Sequence, residues 1–344
     1  MALAARRRKI AIVGLGMALK PHLKSLEELG ARVEIAACFT PSVARRQAFA
    51  AAHPYRLAAS YEEILVDSAI EALLVLTPPN THLDLVERAA QAGKHVLLEK
   101  PVEVSLARAE RLVAAMERAG LRLGVVLQHR FRAVSRRLAA LLAAGELGPL
   151  VSGSAAVRWW RPPEYFAQAG RGTKARDGGG VLLTQAIHTL DLFLSLAGPI
   201  AEVVAFAATS PLRRIDTEDV VGAAIRFKNG AVGTIDATTV AYPGFPERIE
   251  LACERATAVL AAEDLEVHYK DGRELSESGA PSKSGGADPM AFSNDAHRAL
   301  IGDFLDAIEE RRDPLVSGRE ALKVQRLIEA LLRAAAEGRT VAVG

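Results

Sequence analysis

Between residues 10 and 127 short apolar runs alternate with segments of helical periodicity. Ile10–Val13, Val33–Phe39, Ala72–Leu76, His95–Leu98 and Arg122–Leu127 read as strands, and this alternation predicts βαβ units and a parallel sheet. Asn80 or Thr81 is placed to cap a helix over Leu83–Ala92, which Gly93 would end. From about Val151 the period changes to two. VVGAAIRFKNGAVGTIDATTV carries Asn229-Gly230, a two-residue hairpin signal, and ERIELACERATAVLAAEDLEVHYKDG continues the alternation. The expected fold is therefore an α/β domain over residues 1–128 followed by an α+β domain over 129–344 with a mostly antiparallel open sheet. SESGAPSKSGGADPMAF reads as a surface loop, and helices over Ala296–Arg311 and Arg319–Ala336 follow it.

The 344 residues suit two domains, since a typical domain has roughly 150. With 50% hydrophobic and 24% charged residues the chain is neither disordered nor fibrous. Lys+Arg at 43 against Asp+Glu at 41 gives no electrostatic footprint for nucleic acid. Cys38 and Cys253 each lie in an apolar stretch and read as reduced core thiols. The apolar run behind the basic cluster of MALAARRRKI ends at Val13, too short for a signal segment, and no run long enough to span a membrane is expected. A cytoplasmic location is the resulting expectation.

The first strand runs into Gly14-Leu15-Gly16 and then a helical segment, a geometry that aims backbone N–H groups and the positive helix end at a pyrophosphate. The third position of the glycine fingerprint is Leu19, so the motif is partial. Glu34 falls at the spacing of a ribose-binding acid, yet it begins the second strand instead of ending it. That strand exits at Thr40-Pro41-Ser42, with Arg45 and Arg46 a turn later, which suits a 2′-phosphate better than a bare diol. NADP(H) is thus favoured and NAD(H) remains open.

Lys100 precedes a proline at a strand's carboxyl end, where open α/β sheets bind ligands, and a lysine there can exchange a proton with an alcohol oxygen. In the apolar helix predicted over Val181–Ala197, Thr184, His188, Asp191 and Ser195 form one polar stripe preceded by three glycines. Upstream, Arg158, Arg161, Arg171, Lys174 and Arg176 stand among Trp159, Trp160, Tyr165 and Phe166. Aromatic faces and guanidinium forks of this kind suit an anionic sugar, and a solvated basic loop is the plainer alternative.

Thr77-Pro78-Pro79-Asn80-Thr81-His82, Glu99-Lys100-Pro101 and GGGVLLTQAIHTLD, with the glycine turn and the closing HRALIGDFLDAI, resemble the glucose-fructose oxidoreductase / inositol dehydrogenase / rhizopine catabolism (Gfo/Idh/MocA) family over nearly the full length. The resemblance implies a Rossmann dinucleotide-binding domain, a nicotinamide cofactor, and hydride transfer at a secondary alcohol or ketone of a sugar, sugar acid, nucleotide sugar or cyclitol. Taken with the glycine turn and strand exits read above, the candidate cofactor contacts are Gly14, Gly16, Met17, Thr40, Ser42, Arg45, Thr77, Pro78, Asn80, His82, Glu99, Lys100 and Gln128. Substrate contacts would come from Lys100, Tyr165, Arg171, Thr184, Gln185 and His188, with Lys100, His188 and Thr184 at the chemistry and no metal. Thr184 stands where relatives often have an aspartate and is no base near neutral pH, so the proton falls to Lys100 and His188. The other class of function is a non-catalytic dinucleotide-binding regulator, which would have no need of that pair. A homodimer or homotetramer is expected, with Tyr242 and Phe245 near its contact surface.

Overall fold

The computed structural model describes residues 7–279 and 293–344. Two compact units form, one from residues up to Val126 with Asn294–Leu322, the other from Leu127–Ser293 with Lys323–Gly344. The first break lies within two residues of the expected one. The expected assignment of everything beyond residue 128 to the second domain is corrected by the return of 294–322.

In the first unit, β1 (Arg8–Val13), α1 (Leu19–Glu28), β2 (Val33–Phe39), α2 (Val43–Ala52), α3 (Tyr61–Val66), β3 (Ala72–Val75), α4 (His82–Gln91), β4 (His95–Leu98), α5 (Leu106–Arg118) and β5 (Leu123–Val125) alternate as the apolar pattern requires. The five strands pair in parallel in the order β2-β1-β3-β4-β5. The order reverses between β1 and β3, and such a switch point opens a ligand crevice at the strands' carboxyl ends. Thr81 does not cap α4; its hydroxyl donates to the Pro78 carbonyl and lies in hydrogen-bond contact with the Thr77 hydroxyl, both at 2.8 Å, because a short 3₁₀ turn at 79–81 leads into the helix.

The second unit holds α6 (Ala133–Ala143), β6 (Leu150–Arg158), α7 (Lys174–Asp177), α8 (Ile187–Ala197), β7 (Ile200–Ala208), β8 (Val220–Phe227), β9 (Val232–Thr238), β10 (Arg248–Cys253), β11 (Ala256–Ala261), β12 (Asp264–Tyr269) and β13 (Glu274–Ser278). The chain then supplies α9 (Asp295–Glu309) to the first unit, and α10 (Gly318–Glu337) leads to β14 (Val341–Ala342) on the edge of the second sheet. Leu300, Ile301, Phe304, Leu305 and Ile308 make one buried stripe on α9, and Phe304 lies against Gly124 of β5. That stripe is why α9 joins the first unit.

The nine strands run in the order β13-β12-β11-β10-β6-β9-β8-β7-β14, antiparallel throughout save for β6 with β9. Period-two alternation buries Val221, Ile225, Phe227, Ile249 and Leu251 on the face that meets α8 and α6, and leaves Val204, Phe206, Val220 and Val232 exposed. The Asn229-Gly230 hairpin closes over three residues: Phe227 N–H bonds the Ala231 carbonyl and Gly230 takes φ +90°, a turn with a glycine bulge instead of the expected two-residue turn. The segment Lys174–Ala197 is long and apolar enough to cross a membrane by composition, contrary to expectation, yet 72% of its most apolar window is buried within the protein, as in a core helix. Most of the expected loop at 276–292, and the first six residues, lie outside the described residues.

Candidate active site

In the first unit the site begins at Gly14. Its φ is +105°, and a Cβ there would come within 2.7 Å of the Leu76 carbonyl carbon, so only glycine lets the exit of β1 pass the exit of β3. No side chain caps α1 and no carboxylate stands in its first turn, which leaves the positive helix end to an anion, as a dinucleotide pyrophosphate requires. Met17 is exposed beside it. Of the hydroxyls after β2, Thr40 is buried and Ser42 serves as the cap of α2, accepting the Arg45 N–H at 3.4 Å. The Arg45 guanidinium instead reaches the turn, 3.8 Å from where a Cβ on Gly16 would sit. Glu34 faces Lys9 across the start of the strands, with Nζ and Oε1 3.8 Å apart.

The exits of β3 and β4 are tied together by His82. Its Nε2 meets the Thr77 carbonyl at 2.9 Å, and its Nδ1 meets the carbonyls of Pro101 and Val102 at 3.1 and 3.2 Å. The ring has no exposed surface, so His82 clamps the loops where Thr77, Pro78, Asn80 and Lys100 stand and has no surface to offer a cofactor. The Lys100–Pro101 peptide is cis. Glu99 turns inward: one carboxylate oxygen lies 2.8 Å from His22 Nε2, and the other accepts the Lys100 backbone N–H at 3.0 Å. His297 of α9 meets the His22 ring edge-on at 5.0 Å. Burial pushes the Glu99 carboxyl up, but the His22 bond and the charges of His22, Lys100 and His297 outweigh it and hold it below the usual carboxylate range. Sequence reasoning missed His22 and His297. The available signal was a histidine on the buried face of each amphipathic helix.

In the second unit a cleft is lined by Tyr165, Arg171, Thr184, Gln185, Glu218 and Thr239 among others. Gly180 is part of the lining and must be glycine, since a Cβ there would lie 1.8 Å from the Glu218 carbonyl oxygen. Glu218 accepts the N–H groups of Gly180 and Leu182 at 3.0 and 3.2 Å, a carboxylate at a helix start that the sequence did not single out. Burial pushes its carboxyl up, against those backbone bonds and the Lys174 charge. Leu182–Ala186 forms a π-turn before α8, a local irregularity frequent at functional sites. Gln185 Nε2 thereby reaches the Tyr165 hydroxyl at 3.2 Å, while the Thr184 hydroxyl donates to the Gly180 carbonyl at 2.7 Å and contacts Gln185 Oε1.

This turn takes Thr184 out of the expected polar stripe, and the three members on α8 meet different surroundings. Asp191 is bound by Arg130 in the interior, and Ser195 is exposed and bonds the Leu192 carbonyl. His188 is buried with its ring 5.0 Å from that of His129, whose Nε2 faces Arg132 Nη2 at 2.8 Å. Gln128 Oε1 is buried without a hydrogen-bond partner among the described residues. The arginine cluster also divides. Arg158 pairs with Asp236, Arg161 is buried over Trp159 and Tyr165, and Arg176 bonds the Ala169 carbonyl. Arg171 alone of the four arginines lines the cleft, with its guanidinium 4.8 Å from the Tyr165 ring centroid.

A parallel sheet with a glycine turn at its switch point, followed by an antiparallel domain, is the architecture of a dinucleotide-binding protein. Residues 8–127 match the oxidoreductase family with an NAD-binding Rossmann fold, and residues 135–259 match the Gfo/Idh/MocA C-terminal domain. The chain belongs to the Gfo/Idh/MocA family. D-apiose dehydrogenase of Paraburkholderia graminis is 28% identical over 345 residues, covering 98% of this chain and 90% of the relative. The structure of the WlbA dehydrogenase from Bordetella pertussis in complex with NADH and UDP-GlcNAcA superposes with a TM-score of 0.85 at 30% identity, over 98% of this chain and 99% of that one. Levoglucosan dehydrogenase in complex with NADH and levoglucosan shares the fold, with a TM-score of 0.88 at 21% identity over 98% of this chain and 100% of that one.

Proposed function

We propose that this protein is an NADP(H)-preferring oxidoreductase acting at a secondary alcohol or ketone of a carbohydrate that carries a carboxylate or phosphate. The carrying observation is Lys100, held at the carboxyl end of β4 by Glu99 on its backbone N–H and by His82 on the carbonyl that follows. Gly14, Gly16 and the open start of α1 would hold the pyrophosphate, and Arg45 the 2′-phosphate. The bound nicotinamide supplies or accepts the hydride.

Lys100 Nζ takes the alcohol proton as the ketone forms and returns it in reduction. His188 orients the hydroxyl. Thr184, whose hydroxyl is committed to the Gly180 carbonyl, positions the cleft wall and moves no proton. Tyr165, Arg171 and Gln185 would receive the sugar and its anionic group. The complex of WlbA with a nucleotide-sugar acid supports the anionic substrate class. Two buried free cysteines suit a reducing cytoplasm, where Cys38, with its thiol pushed up to about 12 by burial, stays inert. The exposed apolar face of the second sheet is read as the contact between copies of the chain.

The test is turnover of neutral sugars, sugar acids and nucleotide sugars with both nicotinamide cofactors. Lys100→Met should lower kcat by about 10²–10⁴ with little change in cofactor affinity. Near-full turnover in that variant would overturn the assignment of Lys100. Cofactor binding without turnover of any carbohydrate would put the regulator reading in its place.

A further inference from the structure

We propose that His22 and His297 are positioning residues that act on Lys100 through Glu99, holding its carboxylate and offsetting its charge so that Lys100 faces a compensated neighbour. The proposal rests on the reading of Lys100 as the proton carrier and concerns groups to which that reading gives no task.

Three segments distant in sequence converge here. Helix α1 supplies His22 from its buried face, α9 supplies His297, and the end of β4 supplies Glu99. The ligand-bearing atoms of the three side chains all lie within 4.8 Å of one another. Glu99 bridges: one oxygen is on the His22 ring and the other on the backbone N–H of Lys100 itself. His22 has no exposed surface, and its Nδ1 has no hydrogen-bond partner among the described residues, so the Glu99 bond is what fixes the ring. The 2.8 Å contact is that of a hydrogen bond between imidazole and carboxylate.

The titratable groups acting on Glu99 are His22 from α1, His297 from α9 and Lys100 next along the chain. The nearby Arg298 is engaged by Glu28 and Asp295 at the exposed rim of the α1 and α9 contact. A carboxylate beside an amine favours its ammonium form, and a lysine that must release a proton in each oxidative turnover works against that pull. An imidazole bonded to the same carboxylate opposes the pull when it carries positive charge, and burial lengthens the reach of the effect. The cluster therefore sets both the place of Lys100, through its N–H, and the pH at which it gives up its proton.

The test uses the full chain labelled with ¹³Cε-lysine, with the Lys100 resonance assigned by its loss in Lys100→Arg and followed against pH. His22→Gln keeps an amide donor for Glu99 and removes the capacity for charge, as does His297→Gln on the other side. Each should raise the titration of Lys100 by about one pH unit, and Glu99→Gln should lower it by a similar amount. Circular dichroism identifies the variants that fold. An unchanged Lys100 titration in any folded variant of this set overturns the proposal, and Glu99→Gln decides it if neither histidine variant folds. The readout needs no substrate, so a failure of the proton-carrier reading, seen as turnover retained by Lys100→Met, is distinguishable from a failure here.

Discussion

Arg130 and Asp191 meet fork to fork inside the second unit, Nε to Oδ2 at 2.7 Å and Nη2 to Oδ1 at 2.5 Å. Both side chains are nearly without solvent, so each charge depends on the other. Asp191→Ala should destabilise the protein by about 3–5 kcal/mol, because it leaves a buried guanidinium uncompensated. The urea midpoint measures this. Adding Arg130→Met to that variant should recover most of the loss, and a mild effect of Asp191→Ala alone would show the pair to be dispensable.

Arg45 is the residue on which cofactor choice should turn. Arg45→Ala should weaken NADPH binding by about tenfold, the worth of a charge-assisted hydrogen bond, and leave NADH binding unchanged. Dissociation constants from fluorescence titration check it. Equal effects on the two cofactors would make Arg45 a general anchor of the turn, and no effect would make it surface charge.

Arg171 stands in the cleft over Tyr165 and bonds the Gln168 side chain at 2.8 Å. Arg171→Ala should raise KM for an acidic or phosphorylated carbohydrate by roughly tenfold or more while leaving a neutral sugar nearly unaffected. Equal changes for the two substrates would assign Arg171 to cleft structure alone.

The exposed face of the second sheet should bury itself against another copy. Phe206 is 82% exposed on β7, and Val204, Val220 and Val232 extend the patch across three strands, whereas Tyr242 and Phe245 stand in the following loop. Phe206→Asp should convert the oligomer to monomers in light scattering without loss of fold. A wild-type monomer at micromolar concentration would remove the claim.

Burial holds the His82 pKa below the ordinary 6.5, outweighing three carbonyl contacts that favour the proton. Below 6.5 the unfolded chain takes up a proton that the folded ring refuses, so the stability tied to this group is complete above 6.5 and is lost as pH falls toward the lowered value. His82→Asn should flatten the decline in urea midpoint between about pH 6.5 and 5. An unaltered slope would mean that another group carries it.

The alternation of apolar runs and helical segments determined the parallel sheet, and period-two alternation determined the antiparallel one, because local burial imposes those periods on any chain that forms them. Gly14 and Gly180 were legible as glycines. Their reason, the backbones of Leu76 and Glu218 pressed against them, belongs to the tertiary structure. Lys100 was visible through its proline and its strand. His22 and His297 were not, since a histidine on a buried helix face acquires meaning only when Glu99 meets it from another strand. The stripe of Thr184, His188, Asp191 and Ser195 assumed one regular helix; the π-turn at 182–186 sets Thr184 apart from the other three, which stay on α8, and Arg130 claimed Asp191. Helix α9 was readable as amphipathic but not as part of the first unit. A periodic pattern says that a face must be buried, and only the folded chain decides what it is buried against.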